Sequence, residues 1–434
     1  MDKMADVLGR AGAWCGQNKY LSAIKNAFQN FMPLTIAGAI GVLWCNVLVN
    51  DQTGLGLFFK PIMALDFLNP AFQAVNFCTI SCITVGITLG IAQEIGVWNM
   101  GAERAGYIPG LVGLAAWLSV TNTSHMVDGA KEAFTGIAGN ELGATGLFTG
   151  MIIGVLSVEL FCFFEKQDAL KIKMPEQVPP GVARAFEVLV PATITLIITA
   201  CIGSACYNLT GLYLNDVIKN GIQGPLGAVG ATIPGVMIIY LVIMLFWLVG
   251  IHGNNMLSAV KEALFTPLAL ENVEKFNKGE KPTNIINMYA LQMWGEFGGS
   301  GVTIGLVIAI MIFGKREENK AIATLSLVPG LFNINETVTF GIPMVLNPIL
   351  GIPFVVAPLI TIIIGYVLTV IGFCPVACLT VPWTTPPIVF GFLACGANVM
   401  GAVTQAILIV VSTVIYVPFL ISYEKYQNKQ AAEA

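Results

Sequence analysis

The chain has 434 residues, of which 56% are hydrophobic and only 11% charged, with a mean hydropathy of +0.78. A soluble domain carries roughly 25% charged residues, so this composition excludes a water-soluble particle and makes lipid the solvent for much of the exterior. The formal net charge of −4 identifies no partner, because the charges are confined to loops and chain ends, and no nucleic-acid contact is expected.

Residues 1–29 are polar and mixed in charge, without the apolar stretch of a removable signal; the first span, Phe31–Val49, is predicted to serve as the insertion signal. Apolar runs then recur near 72–92, 105–121, 143–164, 186–207, 229–251, 301–313, 352–372, 384–397 and 400–422. Several reach the ~20 residues that a helix needs to cross the hydrocarbon core. Others are short or broken, so eight to ten crossings are expected. Gly146, Gly150 and Gly154 recur at four-residue spacing, a small-residue face suited to close helix packing.

Basic residues gather at Lys3–Lys25, Lys166–Arg184, Lys261–Lys281, Lys315–Lys320 and Lys425–Lys429, whereas Asn122–Glu141 is acidic on balance through Asp128, Glu132 and Glu141 against Lys131. Both termini are therefore expected on the cytoplasmic side. Strict alternation fails between residues 282 and 350, where a segment is expected to dip in and return. The longest hydrophilic stretch, Lys261–Pro282, is too short to fold alone. Residues 1–185 read as ordinary spans. From about 225 onward, Gly, Pro and Asn interrupt the runs at Gly295–Gly305, Asn333–Asn347 and Thr380–Pro387. Non-helical backbone at membrane depth survives where protein or a wet cavity satisfies it, and broken helices of this kind mark substrate sites in transporters.

Ten Cys, among them Cys45, Cys78, Cys82, Cys201, Cys206, Cys374, Cys378 and Cys395, are scattered through apolar stretches without a C-x-x-C pair and read as small buried hydrophobes. With two His in the chain, no Cys/His metal site can be assembled, and no cofactor is expected.

Between Ala321 and Tyr423 the one charged side chain is Glu336; between Asn220 and Val260, His252 is the titratable group besides Cys and Tyr. An ionisable group inside the membrane is costly and marks a functional cavity by default. Glu336 is preceded by Asn333 and Asn335, and this carboxylate with two amides can bond several hydroxyls. His252 lies in Gly250-Ile-His-Gly-Asn-Asn255, where glycines allow close backbone approach and Asn254 adds donors and acceptors. Trp383, in Val381-Pro-Trp-Thr-Thr-Pro-Pro387, offers a flat apolar face to a sugar ring. This inventory suits a neutral, hydroxyl-rich solute. Gly298-Gly-Ser-Gly301 matches the G-x-S-G of intramembrane serine proteases, but both His, 125 and 252, lie upstream of Ser300, against the order those proteases need. It reads instead as the tip of a re-entrant hairpin, with Gly299 and Ser300 near a phosphate or sugar oxygen.

The ordered set Gly250-Ile-His-Gly-Asn254, Gly298-Gly-Ser-Gly301, Phe332-Asn-Ile-Asn-Glu336, Phe340-Gly-Ile-Pro343, Leu346-Asn-Pro348, Ile352-Pro-Phe354 and Val381-Pro-Trp383 resembles the IIC membrane component of bacterial phosphotransferase systems, lactose/cellobiose/diacetylchitobiose branch. The Asn-Ile-Asn-Glu block is the specific part. The likeness spans essentially the whole chain. One departure is Thr337, where the family usually has Pro.

The resemblance implies an all-α integral membrane protein of about ten transmembrane helices, with two re-entrant hairpins, near 283–301 and 321–337, in the C-terminal half. It implies an oligomerising region over 1–220, an elevator-type sugar-transport region over 221–434, and a homodimer in the bacterial inner membrane. A β-linked disaccharide would bind at mid-membrane and have its 6-hydroxyl phosphorylated by the phosphocysteine of a separate soluble IIB component. Glu336 would act as base, His252 would orient the hydroxyl or steady phosphoryl charge, and Asn254, Asn333, Asn335, Trp383, Gly299 and Ser300 would contact substrate. The alternative function is a proton- or sodium-coupled secondary sugar transporter with Glu336 as the coupling acid.

Overall fold

A computed structural model of the protein describes Arg10, Trp14 and residues 17–51, 55–125, 134–175, 177–342 and 344–433. Asp128, Lys131, Glu132, Lys3 and Pro343 lie outside the described residues. The principal helices are α1 (Lys19–Leu43), α2 (Ile83–Met100), α3 (Ile108–Val120), α4 (Ala144–Glu165), α5 (Pro180–Thr210), α6 (Ile233–Leu248), α7 (Ser258–Asn277), α8 (Met288–Gly295), α9 (Ile304–Phe313), α10 (Glu317–Leu331), α11 (Glu336–Gly341), α12 (Gly351–Val370), α13 (Val389–Ala394) and α14 (Val399–Glu433). The described β-structure is one antiparallel pair, with Ser124 opposite Thr135 and His125 opposite Phe134.

Among the described residues, five helices are long and apolar enough to cross a membrane: Lys19–Leu48, Ala144–Glu165, Pro180–Thr210, Gly351–Val370 and Val399–Gln430. The number is seven if the bent pairs Lys60–Met100 and Met288–Phe313 each count as a span; α3 and α6 are shorter apolar helices. By length and composition the described residues thus give five to seven spans, against about ten expected from sequence. The run at 384–397 yields only the six-residue α13, because Pro382, Pro386 and Pro387 remove backbone donors and disfavour helix ahead of each ring.

Lys261–Pro282, read from sequence as the longest hydrophilic stretch, is largely helical. The twenty-residue α7 buries Lys261, Phe265, Ala269, Asn272 and Val273, so polar residues here face the protein interior. The cysteines divide: Cys162, Cys374, Cys378 and Cys395 are buried, whereas Cys78 and Cys201 are exposed. Exposed apolar side chains are frequent on the long helices other than α4. On α14, Val399, Val403, Ile407, Val410, Val414 and Ile421 form one exposed stripe, a face whose compatible solvent is lipid.

The chain divides into two compact units. One comprises Gln17–Gly38 and Ala74–Gly227; the other contains Ala39–Gln73 and the chain from Ala228 onward. In the first, Ala116, Trp117, Val120 and Ile153 form a core against which Val85, Leu114, Leu142, Leu196 and Leu214 pack. Gly150 sits where an added Cβ would lie 2.2 Å from Thr88 Oγ1, so the glycine face of α4 admits α2 at a distance no side chain would allow. At one end of this unit, Glu165 receives Arg104 at 2.7 Å and Arg184 at 2.9 Å, with Glu187 accepting from both.

The second unit carries every predicted site residue. Asn272, fully buried, fixes its connections. Its Nδ2 donates to the carbonyls of Asn284 and Ala377 at 2.8 and 3.0 Å, and its Oδ1 accepts from the amides of Thr283 and Asn284 at 3.1 and 3.0 Å. Asn287 caps α8 through Oδ1 and also donates to Ala377 O, at 3.1 Å. These amides moor the segment after α12, which leads to Trp383. The connection between α8 and α9 bends by 59°, the geometry of a broken span or of a re-entrant loop.

Candidate functional site

His252 is placed by the way α6 ends. After Leu248 the backbone reverses at Gly250, with φ +81°, and the Ile251 amide returns to Phe246 O at 3.0 Å. His252 then caps a single turn, Gly253–Met256, its Nδ1 accepting the Asn255 amide at 3.2 Å. An Nδ1 acceptor carries no proton, so the neutral ring holds its proton on Nε2. That nitrogen lies 3.8 Å from Glu336 Oε1. The imidazole packs on the buried Trp247, ring centres 4.4 Å apart.

Glu336 opens α11, directly after the connection from α10. Two asparagines hold that connection. Asn333, in the left-handed region at φ +62°, accepts the Gly298 amide on Oδ1 at 2.6 Å and donates from Nδ2 to the carbonyls of Trp383 and of Thr385, the latter at 3.1 Å. Asn335 is buried and donates to Ser300 O at 2.7 Å. Asn333 and Asn335 thus tie the residues just before Glu336 to the Gly298–Gly301 turn and the Trp383 loop.

The turn itself has three left-handed glycines, Gly298, Gly299 and Gly301. A Cβ on Gly299 would lie 2.7 Å from Asn335 Cβ, and one on Gly301 would lie 2.4 Å from Phe354 Cδ2. Conformation and space therefore both require glycine. Ser300 is buried, its Oγ accepting Asn254 Nδ2 at 3.0 Å; Tyr416 donates to Gly301 O at 2.8 Å and Ser412 to Val302 O at 2.9 Å.

The eight predicted residues converge in one unit, in two layers. His252 and Glu336 are open, their side chains 37% and 47% exposed, and the Trp383 side chain is exposed as well. Asn254 has one end in the framework, while its Oδ1 is sheltered without a hydrogen-bond partner. Behind them, Asn333, Asn335, Gly299 and Ser300 spend polar groups on neighbouring protein groups, so in this structure they shape the wall. Thr337 is an exposed second residue of α11, where any helix leaves its N–H unpaired; the change from Pro costs little there.

Sequence reading missed three residues. The Glu296 carboxylate accepts the Tyr240 hydroxyl at 2.7 Å and pairs with Lys261. A charge inside the otherwise uncharged 288–313 run was the available signal. Among the described residues no group of three or more His, Cys, Asp or Glu could hold a metal ion.

At 3.8 Å, His252 and Glu336 are too far apart for a direct hydrogen bond, whereas a hydroxyl oxygen about 2.8 Å from each fits between them.

Residues 25–358 match the family model described as phosphotransferase system, EIIC. The chain is 32% identical over 429 residues to the oligo-beta-mannoside-specific EIIC component of Bacillus subtilis, covering 98% of this chain and 94% of that one. It is 30% identical to the cellobiose-specific EIIC component of Lactococcus lactis, covering 98% of each. Against the lactose-specific EIICB component of Staphylococcus aureus it is 32% identical, covering 94% of this chain and 69% of the longer protein. The solved structure of ChbC, the IIC component from the N,N'-diacetylchitobiose-specific phosphotransferase system, superposes with a TM-score of 0.88 at 29% identity, over 97% of both chains.

Proposed function

The chain belongs to the EIIC family of multi-pass phosphotransferase-system membrane components, and from that premise we propose that it is a permease for a β-linked disaccharide of the cellobiose, diacetylchitobiose or lactose type. The reading is carried by one observation: the half-exposed Glu336 carboxylate, alone in an uncharged stretch, stands 3.8 Å from an Nε2–H of His252. The specificities named for its relatives support the substrate class.

In this proposal the sugar 6-hydroxyl occupies the gap between the two side chains. Its oxygen attacks the phosphorus of a phosphocysteine on a soluble IIB component. The O–P bond forms, the S–P bond breaks with its electron pair leaving on the IIB thiolate, and the hydroxyl proton passes to Glu336 Oε1. General-base help of this kind contributes roughly 10²–10⁴-fold. His252 steers the hydroxyl through Nε2–H, Asn254 Oδ1 takes a neighbouring hydroxyl, and the Trp383 face meets a sugar ring. The phosphosugar carries about two negative charges and does not recross the apolar barrier. The protein would work as a homodimer in the bacterial inner membrane with both termini cytoplasmic, residues 1–220 oligomerising and 221–434 carrying the sugar.

Glu336→Gln keeps the shape and removes the base. Expected in membranes supplied with the phosphoenolpyruvate-driven relay is modestly weakened sugar binding and phosphorylation reduced by about a hundredfold or more. Near-normal phosphosugar formation by this variant would remove Glu336 from the chemistry. Accumulation of unmodified sugar driven by a proton or sodium gradient would replace the proposal with secondary transport. Titration of the purified protein with cellobiose, lactose, gentiobiose and diacetylchitobiose assigns the sugar.

A further inference from the structure

Glu296 follows α8, buried but for 16% of its side chain, and its Oε1 receives both the Tyr240 hydroxyl and the ammonium of Lys261, whose side chain is 7% exposed. The Lys261 nitrogen lies 5.6 Å from the centre of the Tyr240 ring. Desolvating such a pair is costly, and apolar residues of the same volume would serve stability as well. Fixing geometry is what the pair does better than a hydrophobic contact.

The geometry it fixes leads to the open side chains. Tyr240 stands on α6, Lys261 in the first turn of α7, and Glu296 at the end of α8. The His252 segment joins α6 to α7, and the glycine turn leaves α8, so one carboxylate braces the roots of both. From there the Glu296 carbonyl accepts the Gly299 amide at 3.0 Å. The next residue, Ser300, accepts Asn254 on Oγ and Asn335 on its carbonyl. Asn254 belongs to the turn that His252 caps, and Asn335 immediately precedes Glu336.

We propose that Glu296, clamped by Lys261 and Tyr240, is a positioning residue for phosphoryl transfer, acting through Gly299 and Ser300 to set His252 and Glu336 at their working separation. This rests on the reading of the preceding section. The full chain is compared in liposomes as wild type, Glu296→Gln, Lys261→Met, the double variant Lys261→Met/Glu296→Gln, and Glu296→Asp. Three quantities are read: calorimetric affinity for cellobiose and diacetylchitobiose, kcat and KM for phosphosugar formation with the soluble relay, and the nitrogen-15 spectrum of His252 in a His125→Gln background, where it is the sole histidine.

Glu296→Gln is expected to keep sugar affinity, to lose about a hundredfold in kcat, the scale of an ångström-level misplacement, and to mix the two tautomers of His252. Glu296→Asp restores part of both. Wild-type kcat and an unchanged His252 spectrum in Glu296→Gln overturn the proposal. So does a wild-type phenotype in the double variant, which removes both charges while keeping volume and so guards against misfolding of the single variants. If the wild-type protein yields no phosphosugar, the reading of the preceding section falls. The His252 spectrum then decides the bracing claim alone, and its invariance to Glu296→Gln refutes it.

Discussion

Asn333 is the residue whose loss would separate the walls of the site from one another. Asn333→Ala deletes the acceptor for the Gly298 amide and both donors, to Trp383 O and Thr385 O. At about 1 kcal/mol net for each, the three bonds amount to about 3 kcal/mol. The backbone adds to this, since φ is +62° and alanine in the left-handed region costs about 1 kcal/mol more than asparagine. These bonds connect segments rather than build a helix, so the loss falls on the arrangement of the site. If that arrangement becomes the minor state, apparent affinity falls with its population, by about a hundredfold for 3 kcal/mol. The assay is calorimetric titration of purified Asn333→Ala with the tightest-binding sugar of the four-member panel, alongside thermal unfolding in detergent. Glu336 and His252 are untouched chemically, so unchanged affinity would refute the idea that this amide holds the site together. Asn333→Asp, which keeps the acceptor but sets a charge against two carbonyls, should recover none of the loss.

Two glycines test conformation against space. Gly301→Ala meets both a φ of +77° and Phe354 Cδ2 at 2.4 Å, whereas Gly211→Ala meets a φ of +72° with nothing within 4 Å. The first should abolish monodisperse protein in size-exclusion chromatography of a fluorescent fusion; the second should cost only about 1 kcal/mol and remain monodisperse. Asn272→Ala removes its hydrogen bonds to Thr283, Asn284 and Ala377 from a fully buried position and leaves orphaned backbone groups. A loss of several kcal/mol should appear as a markedly lower Tm in detergent, and an unaltered Tm would mean that the mooring of the Trp383 segment lies elsewhere.

Much of the site was legible one residue at a time. A lone carboxylate and a lone imidazole in uncharged stretches stand out without any coordinates, because membrane depth makes ionisable side chains rare, and the Asn-Ile-Asn-Glu block tied them to a family. Gly146, Gly150 and Gly154 announced a packed helix face for the same kind of reason: spacing alone puts them on one side. Roles within the site were less legible. Asn333 and Asn335 look like sugar ligands in sequence, since an amide has the same donors and acceptors whether it faces a hydroxyl or a backbone group. Here both face backbone.

Composition, periodicity and the position of rare charges determined that this chain lives in lipid, that its C-terminal half is interrupted, and that Glu336 and His252 are isolated ionisable groups within it; each is a one-dimensional property of the chain. Tertiary structure alone decided which groups meet. It turned Lys261–Pro282 from a presumed hydrophilic stretch into a packed helix, reduced the 384–397 run to a single short helix, and joined Lys261 to Glu296 and Tyr240. Those outcomes depend on distances between residues far apart in sequence, where burial and hydrogen-bond partners, rather than residue type, set the energy.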